Sequence, residues 1–197
     1  HQINPDARLI YMLREPVSRA YSHYNHNVRV GWEKRPFLIA VKEDSQYLSA
    51  SDYVAQLDLY LQFFSRDKVL LLLFEDFKAN PLDVNRKVLR FLGLDDAIEL
   101  TLDKPRNAGF LYNGIGARVN QLGIMKPLSK IIPSSIKRWL GPMVSKKIPP
   151  ISQTDRAWLS AYFEPRNVLL AQKTNLDLSI WRLANFSGNR PRISASS

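Results

Sequence analysis

Residues 8–24 read Arg8-Leu-Ile-Tyr-Met-Leu13-Arg14-Glu-Pro16-Val-Ser-Arg19-Ala-Tyr-Ser22-His-Tyr24, and this stretch decides the fold. Arg8–Leu13 is a short apolar run, long enough for one buried strand. Pro16 suits the first turn of a helix, where its missing N–H has no intrahelical partner to lose. Val17, Ala20, Tyr21 and Tyr24 recur at helical spacing, which predicts a helix from Val17 to about Val30. In an open α/β sheet, ligands gather at the C-terminal ends of strands. Arg14 stands at such an end, and its planar guanidinium suits a phosphate. Ser22 adds a hydroxyl eight residues on, in the same predicted helix. The positive helix N-terminus favours the same negative charge. Spacing alone leaves a second reading equally open, in which Arg14 makes a salt bridge beside a capped helix.

Downstream, Gly31–Ser51 is mixed in character and reads as an irregular surface insertion. Asp52 is expected to cap a helix running to Phe64, with Val54, Leu57, Leu61 and Phe64 on one face. Ser65–Lys68 is a turn. Val69–Phe74 is continuously apolar, as expected of a central parallel strand covered on both faces. Glu75 and Asp76 at its end would point to opposite faces, which makes them a poor acid–base pair and favours a scaffold role. Asn80-Pro81 starts a helix through about Leu92, with Gly93 as its stop. Strands alternating with helices imply an α/β domain, three layers around a parallel sheet.

The second half is less regular. Lys104–Gly123 reads as a loop and a short helix, and Lys126–Pro150 is basic and interrupted by prolines. Ser152 is expected to cap a helix through Tyr162, with a further helix over Arg166–Thr174. Leu176–Trp181 forms an apolar clasp. The domain is placed at residues 1–182, and 183–197 is taken as a disordered polar tail.

Composition narrows the function. The chain has 197 residues and reads as one domain. It has no cysteine, which excludes disulfides, thiolate metal sites and cysteine nucleophiles. With three histidines, no metal site is expected. No run approaches the roughly 18 apolar residues of a membrane span. The net charge of +10 favours anionic partners. Lys126–Lys147 interleaves lysines with Leu128, Ile131, Trp139 and other apolar residues, suiting an acceptor-covering lid or weak membrane-surface contact. Nucleic acid is not the expected partner, because aromatic and basic residues do not alternate as single-strand binding needs.

The segment Arg14–Tyr24, written RxPxxRAxSxY, resembles the 3′-phosphate-binding motif of the sulfotransferases that use 3′-phosphoadenosine 5′-phosphosulfate (PAPS). Asp67-Lys-Val-Leu…Phe74-Glu-Asp-Phe77 and Asn80-Pro81…Arg90-Phe-Leu-Gly-Leu94 resemble that family's next strand and helix. Ile148-Pro-Pro-Ile-Ser152 through Leu176-Asp-Leu-Ser-Ile-Trp181 is similar to the closing segment of bacterial members. The resemblance implies a P-loop-NTPase-like fold, PAPS as donor, the desulfated product PAP, and no metal. It implies Arg14 and Ser22 as ligands of the 3′-phosphate, with Arg19 and Tyr24 as packing residues. Arg106 and Arg118 fall where relatives close a basic loop over the nucleotide. His26 lies four residues after the serine, where heparan sulfate N-sulfotransferases carry a histidine implicated in the reaction or in acceptor binding. One helical turn separates it from Ser22.

The family's phosphosulfate-cradling loop has no counterpart here, since no GxxxxGK[ST] occurs. In the family it precedes the segment matched, so the expectation is the C-terminal two-thirds of a domain that alone transfers no sulfate. The acceptor is left as a glycan, a lipid or a small metabolite. A cytoplasmic bacterial protein is the expected setting, with the Golgi lumen as the alternative. Two rival functions stand beside this one. A non-catalytic polyanion- or nucleic-acid-binding α/β module would show steep salt dependence. A kinase-like phosphoryl-transfer protein would prefer ATP to PAP.

Overall fold

The computed structural model describes residues 4, 6–98, 110–112 and 145–186. Its elements are β1 (Leu9–Leu13), α1 (Pro16–Val30), α2 (Phe37–Glu43), α3 (Gln46–Ser49), α4 (Tyr53–Leu61), β2 (Val69–Leu73), α5 (Phe74–Ala79), α6 (Pro81–Leu92), β3 (Phe110–Tyr112), β4 (Ser145–Lys147), α7 (Gln153–Thr174) and α8 (Ser179–Phe186). The chain divides into two compact units. Residues 1–19, 49–102 and 153–197 form one, and residues 20–48 and 103–152 form the other.

The first unit is built on β1 and β2, which pair in parallel from Leu9 opposite Val69 to Leu13 opposite Leu73. Parallel strands need a long crossover, and α1–α4 lie between them in sequence. Alternation along the strands sends Leu9, Tyr11 and Leu13 to one face with Val69, Leu71 and Leu73. That face packs against Tyr53 and Leu57 of α4, Leu170 of α7, and Leu178 and Trp181. Burial pushes the Tyr11 phenol up to about 12. On the opposite face Leu72 and Val84 of α6 are buried, whereas Ile10 and Met12 of β1 remain 44% and 39% exposed. The two-faced cover expected of a parallel sheet is therefore present over β2 and absent over β1 among the described residues.

Local signals account for several boundaries. Asp52 caps α4 by accepting the Ala55 N–H at 3.3 Å. Its second oxygen takes Arg166 Nε at 2.9 Å, which ties α4 to α7. Asn80 accepts the Asp83 N–H, and Pro81 opens α6. Gly93 ends that helix at φ 75, a backbone state that glycine adopts without strain.

Other expectations are corrected. Glu75 and Asp76 do not end a strand; they lie in the first turn of α5, which follows β2 without a break. The helices expected at 152–162 and 166–174 are one, α7, with Pro165 inside it. Proline normally interrupts a helix by removing one hydrogen bond and crowding the preceding turn. Here Leu159, Phe163 and Leu170 are buried on both sides of it. Arg166 also donates to the Tyr162 carbonyl and lies 4.0 Å over the Tyr162 ring. Helix α8 runs past residue 182 to Phe186, beyond the boundary set for the tail. Residues 187–197 lie outside the described residues.

Gly31–Ser51, read as irregular, holds α2 and α3, and its residues 31–48 supply buried side chains to the second unit. Phe37, Ala40, Val41 and Tyr47 are buried. Tyr21 and Tyr24 of α1 each meet Phe37 with ring centroids 5.0 Å apart. β3 and β4 pair antiparallel in the same unit. Glu33 is only 5% exposed, and its carboxylate accepts hydrogen bonds from Arg35 Nη2 at 2.7 Å and the Tyr47 hydroxyl at 3.1 Å. These bonds, led by the one from the Arg35 side chain, hold the carboxyl at about 2, against an ordinary 4.5.

A pH dependence follows from Glu33. Its folded pKa is depressed, so its stabilising contribution is present above about 4.5 and is lost as pH falls toward 2. In acid titrations followed by circular dichroism, Glu33→Gln should be less stable than wild type near neutrality. Its stability should also fall less steeply between pH 4.5 and 2. An unchanged slope in that window would exclude Glu33 as an acid-sensitive contact.

Candidate anion site at the end of the first strand

The strand end is fixed by three side chains from distant parts of the sequence. The Tyr53 hydroxyl donates to the Arg14 carbonyl at 2.7 Å and accepts the Arg14 N–H at 3.1 Å. Burial, the largest influence, raises the Tyr53 phenol above its ordinary range, so it stays neutral and able to donate. The Glu15 N–H donates to Glu75 Oε1 at 3.0 Å. The other Glu75 oxygen accepts the Trp181 indole N–H at 3.0 Å. Both Glu75 oxygens are thus engaged in holding the strand–helix junction, a scaffold role.

Glu15 itself is 3% exposed. Its carboxylate accepts the N–H groups of Val17 and Ser18 at 3.0 and 2.8 Å, and the Ser18 hydroxyl at 2.5 Å. Arg156 of α7 lies 3.7 Å away. These are the unpaired donors of the first turn of α1, satisfied by an acidic cap. The reading in which the helix N-terminus receives a ligand's negative charge is therefore corrected: Glu15 already occupies it. Sequence inspection could not have separated these uses, because an acidic residue before Pro16 fits both.

The Arg14 guanidinium is not used in this scaffold. It lies 5.4 Å from the centroid of the Phe74 ring, and among the described residues it has no carboxylate partner. A cation over an aromatic face keeps its N–H donors available at the ring's edge. Half of the second reading holds, since α1 is capped; the salt bridge to Arg14 does not occur among the described residues.

Ser22 and His26 lie one turn apart on α1, and both are exposed. His23 instead packs on Tyr47, with centroids 5.0 Å apart. Arg19 donates to the Ser51 hydroxyl at 3.2 Å and Tyr24 to the Arg35 carbonyl at 2.9 Å, so both serve packing and anchoring. Arg29 Nη2 lies 3.0 Å from His26 Nδ1. A guanidinium can only donate, so Nδ1 accepts and a neutral His26 carries its proton on Nε2. In that tautomer His26 presents a donor rather than a base. Arg106, Arg118 and most of Lys126–Lys147 lie outside the described residues. Within the described set, no group of histidine, aspartate and glutamate side chains is arranged to hold a metal ion. No described helix is long and apolar enough to cross a membrane.

Comparisons with known proteins bear on the family and the fold. A bifunctional heparan sulfate N-deacetylase/N-sulfotransferase 4 of Mus musculus is 23% identical over 188 residues, covering 85% of this chain and 19% of that protein. The crystal structure of a sulfotransferase from Alicyclobacillus acidocaldarius superposes with a TM-score of 0.60 at 25% identity. That match covers 90% of this chain and 58% of the other. The chain thus spans about a fifth of the first relative and less than two thirds of the second. The profile of the family described as "Sulfotransferase domain" matches residues 1–106, more than half of the sequence. With an α/β strand–helix junction that presents an arginine, and with that profile across it, the chain belongs to the sulfotransferase domain family.

Proposed function

We propose that residues 1–182 carry the 3′-phosphate-binding part of the donor site of a PAPS-dependent sulfotransferase. The observation that carries this reading is the state of Arg14. Its backbone is clamped by Tyr53, its guanidinium lies over Phe74, and the nearby helix terminus is already neutralised by Glu15. Arg14 supplies the charge and fork for the phosphate, and Ser22 supplies a hydroxyl. In the full reaction an acceptor hydroxyl or amine attacks the sulfur of PAPS. The new bond to sulfur forms as the bond to the bridging oxygen breaks, the acceptor's proton passes to a base, and PAP departs. On this chain His26, protonated on Nε2, contacts the acceptor rather than removing its proton.

Calorimetry with PAP and with adenosine 5′-phosphate, which lacks the 3′-phosphate, tests the reading. Wild type should prefer PAP. Arg14→Ala should weaken PAP binding by about ten- to a hundredfold, the scale of a charge-assisted hydrogen bond, and erase the preference. Equal affinity for PAP in both proteins would reject the site. Binding that falls steeply with salt yet ignores the 3′-phosphate would favour the polyanion-binding alternative.

A further inference from the structure

We propose that Arg156 of α7 is the counter-charge that allows an anion to bind beside Arg14, and so acts as a positioning residue of the donor site without touching the phosphate. This deepens the reading above and rests on it. The strand–helix junction carries negative charge of its own. Glu15 follows Arg14 directly and is 3% exposed, and Glu75 holds the Glu15 N–H at 3.0 Å. An anion gripped by Arg14 meets both carboxylates. Where water is largely shut out, like charges repel with little screening. The hydrogen bonds described for these carboxylates come from neutral donors: the Val17 and Ser18 N–H groups and the Ser18 hydroxyl for Glu15, the Trp181 indole and the Glu15 N–H for Glu75. Such donors satisfy the oxygens but do not cancel the charge.

Arg156 supplies the missing cation. Its Nη1 lies 3.7 Å from Glu15 Oε2, and its side chain is 23% exposed. That distance is an ion pair but too long for a hydrogen bond. The same oxygen is already bonded by the Ser18 N–H and hydroxyl. The cap of α1 therefore keeps its short bonds without Arg156, which contributes charge. Its place is fixed from below, because Leu159 and Phe163, three and seven positions on along α7, are buried. With Arg156 the junction sets two arginines against two glutamates. Without it the carboxylates outnumber the cations, and much of the Arg14 charge is offset before a phosphate arrives.

Calorimetry with PAP on wild type, Arg156→Gln, Arg156→Lys and the double variant Glu15→Gln/Arg156→Gln tests this. Arg156→Gln should weaken PAP binding about fivefold, the scale of one partly screened charge several ångströms away. Arg156→Lys should stay within about twofold of wild type, since it keeps the charge. Added sodium chloride should narrow the gap between wild type and Arg156→Gln. The double variant should recover most of the loss, because the two deleted charges cancel; a side chain that bonded the phosphate could not be replaced in this way. Equal PAP affinity in wild type and Arg156→Gln would overturn the proposal and leave the Arg14 site standing. A loss that lysine does not restore would overturn it too, in favour of packing or direct contact. Both single variants leave the α1 cap intact, so their comparison decides even if the double variant does not fold. No PAP binding by wild type would instead reject the donor-site reading itself.

Discussion

Trp181→Ala is expected to destabilise the first unit by about 3–5 kcal/mol, the range for removing a large buried aromatic side chain. Trp181 is 2% exposed and lies in the core with Leu13, Tyr53, Leu57 and the odd-numbered residues of β2. Its ring centroid is 5.9 Å from that of Tyr53. The substitution opens a cavity under the sheet and leaves one Glu75 oxygen without its indole donor. Trp181→Phe separates the two effects. It keeps most of the volume and removes the N–H along with the small pyrrole ring, so its cost should be about 1–2 kcal/mol. Urea denaturation reads both as shifts in midpoint at constant slope. If alanine and phenylalanine cost the same, the hydrogen bond to Glu75 rather than packing dominates. If both are near zero, α8 does not belong to the cooperative core.

Glu15→Ala should cost about 2–4 kcal/mol. The carboxylate satisfies two backbone N–H groups and the Ser18 hydroxyl, and Arg156 faces it. Removing it unpairs these together, and unpaired buried donors cost more than the net value of one bond. Glu15→Gln should recover only part of this, because its amide nitrogen faces a donor wherever it turns. The variant also exposes the positive end of α1. Added phosphate should therefore stabilise Glu15→Ala more than wild type, closing some of the gap in melting temperature. An equal response to phosphate in both proteins would mean that Glu15 is not what fills the terminus.

Legibility tracked how local each signal is. β1, the start of α1, the Asp52 cap and all of α6 follow from residues within a few positions of each other. The side chain of Asn80 reaches Asp83, and Gly93 needs only its own φ. α2 and α3 give no such local signal: they are short, Pro36 offers no side-chain cap, and what holds them is burial of Phe37 and Tyr47. Pro165 reads as a break when only local hydrogen bonding is considered; its helix continues across it, packed from both sides.

The site divides along the same line. That Arg14 follows a strand, that Ser22 and His26 share a helix, and that the chain is basic and free of cysteine were determined by sequence alone, since spacing and composition carry them. The tertiary structure decided what each group is free to do. Glu15 fills the helix terminus, and Arg14 lies over Phe74 instead of in a salt bridge. Glu75 joins Glu15 to a tryptophan 106 residues away. Arg29 sets the tautomer of His26, and Arg156 is set against Glu15. Polar side chains of one type can cap, bridge or bind, and only the partners that folding brings within hydrogen-bonding distance choose among those uses.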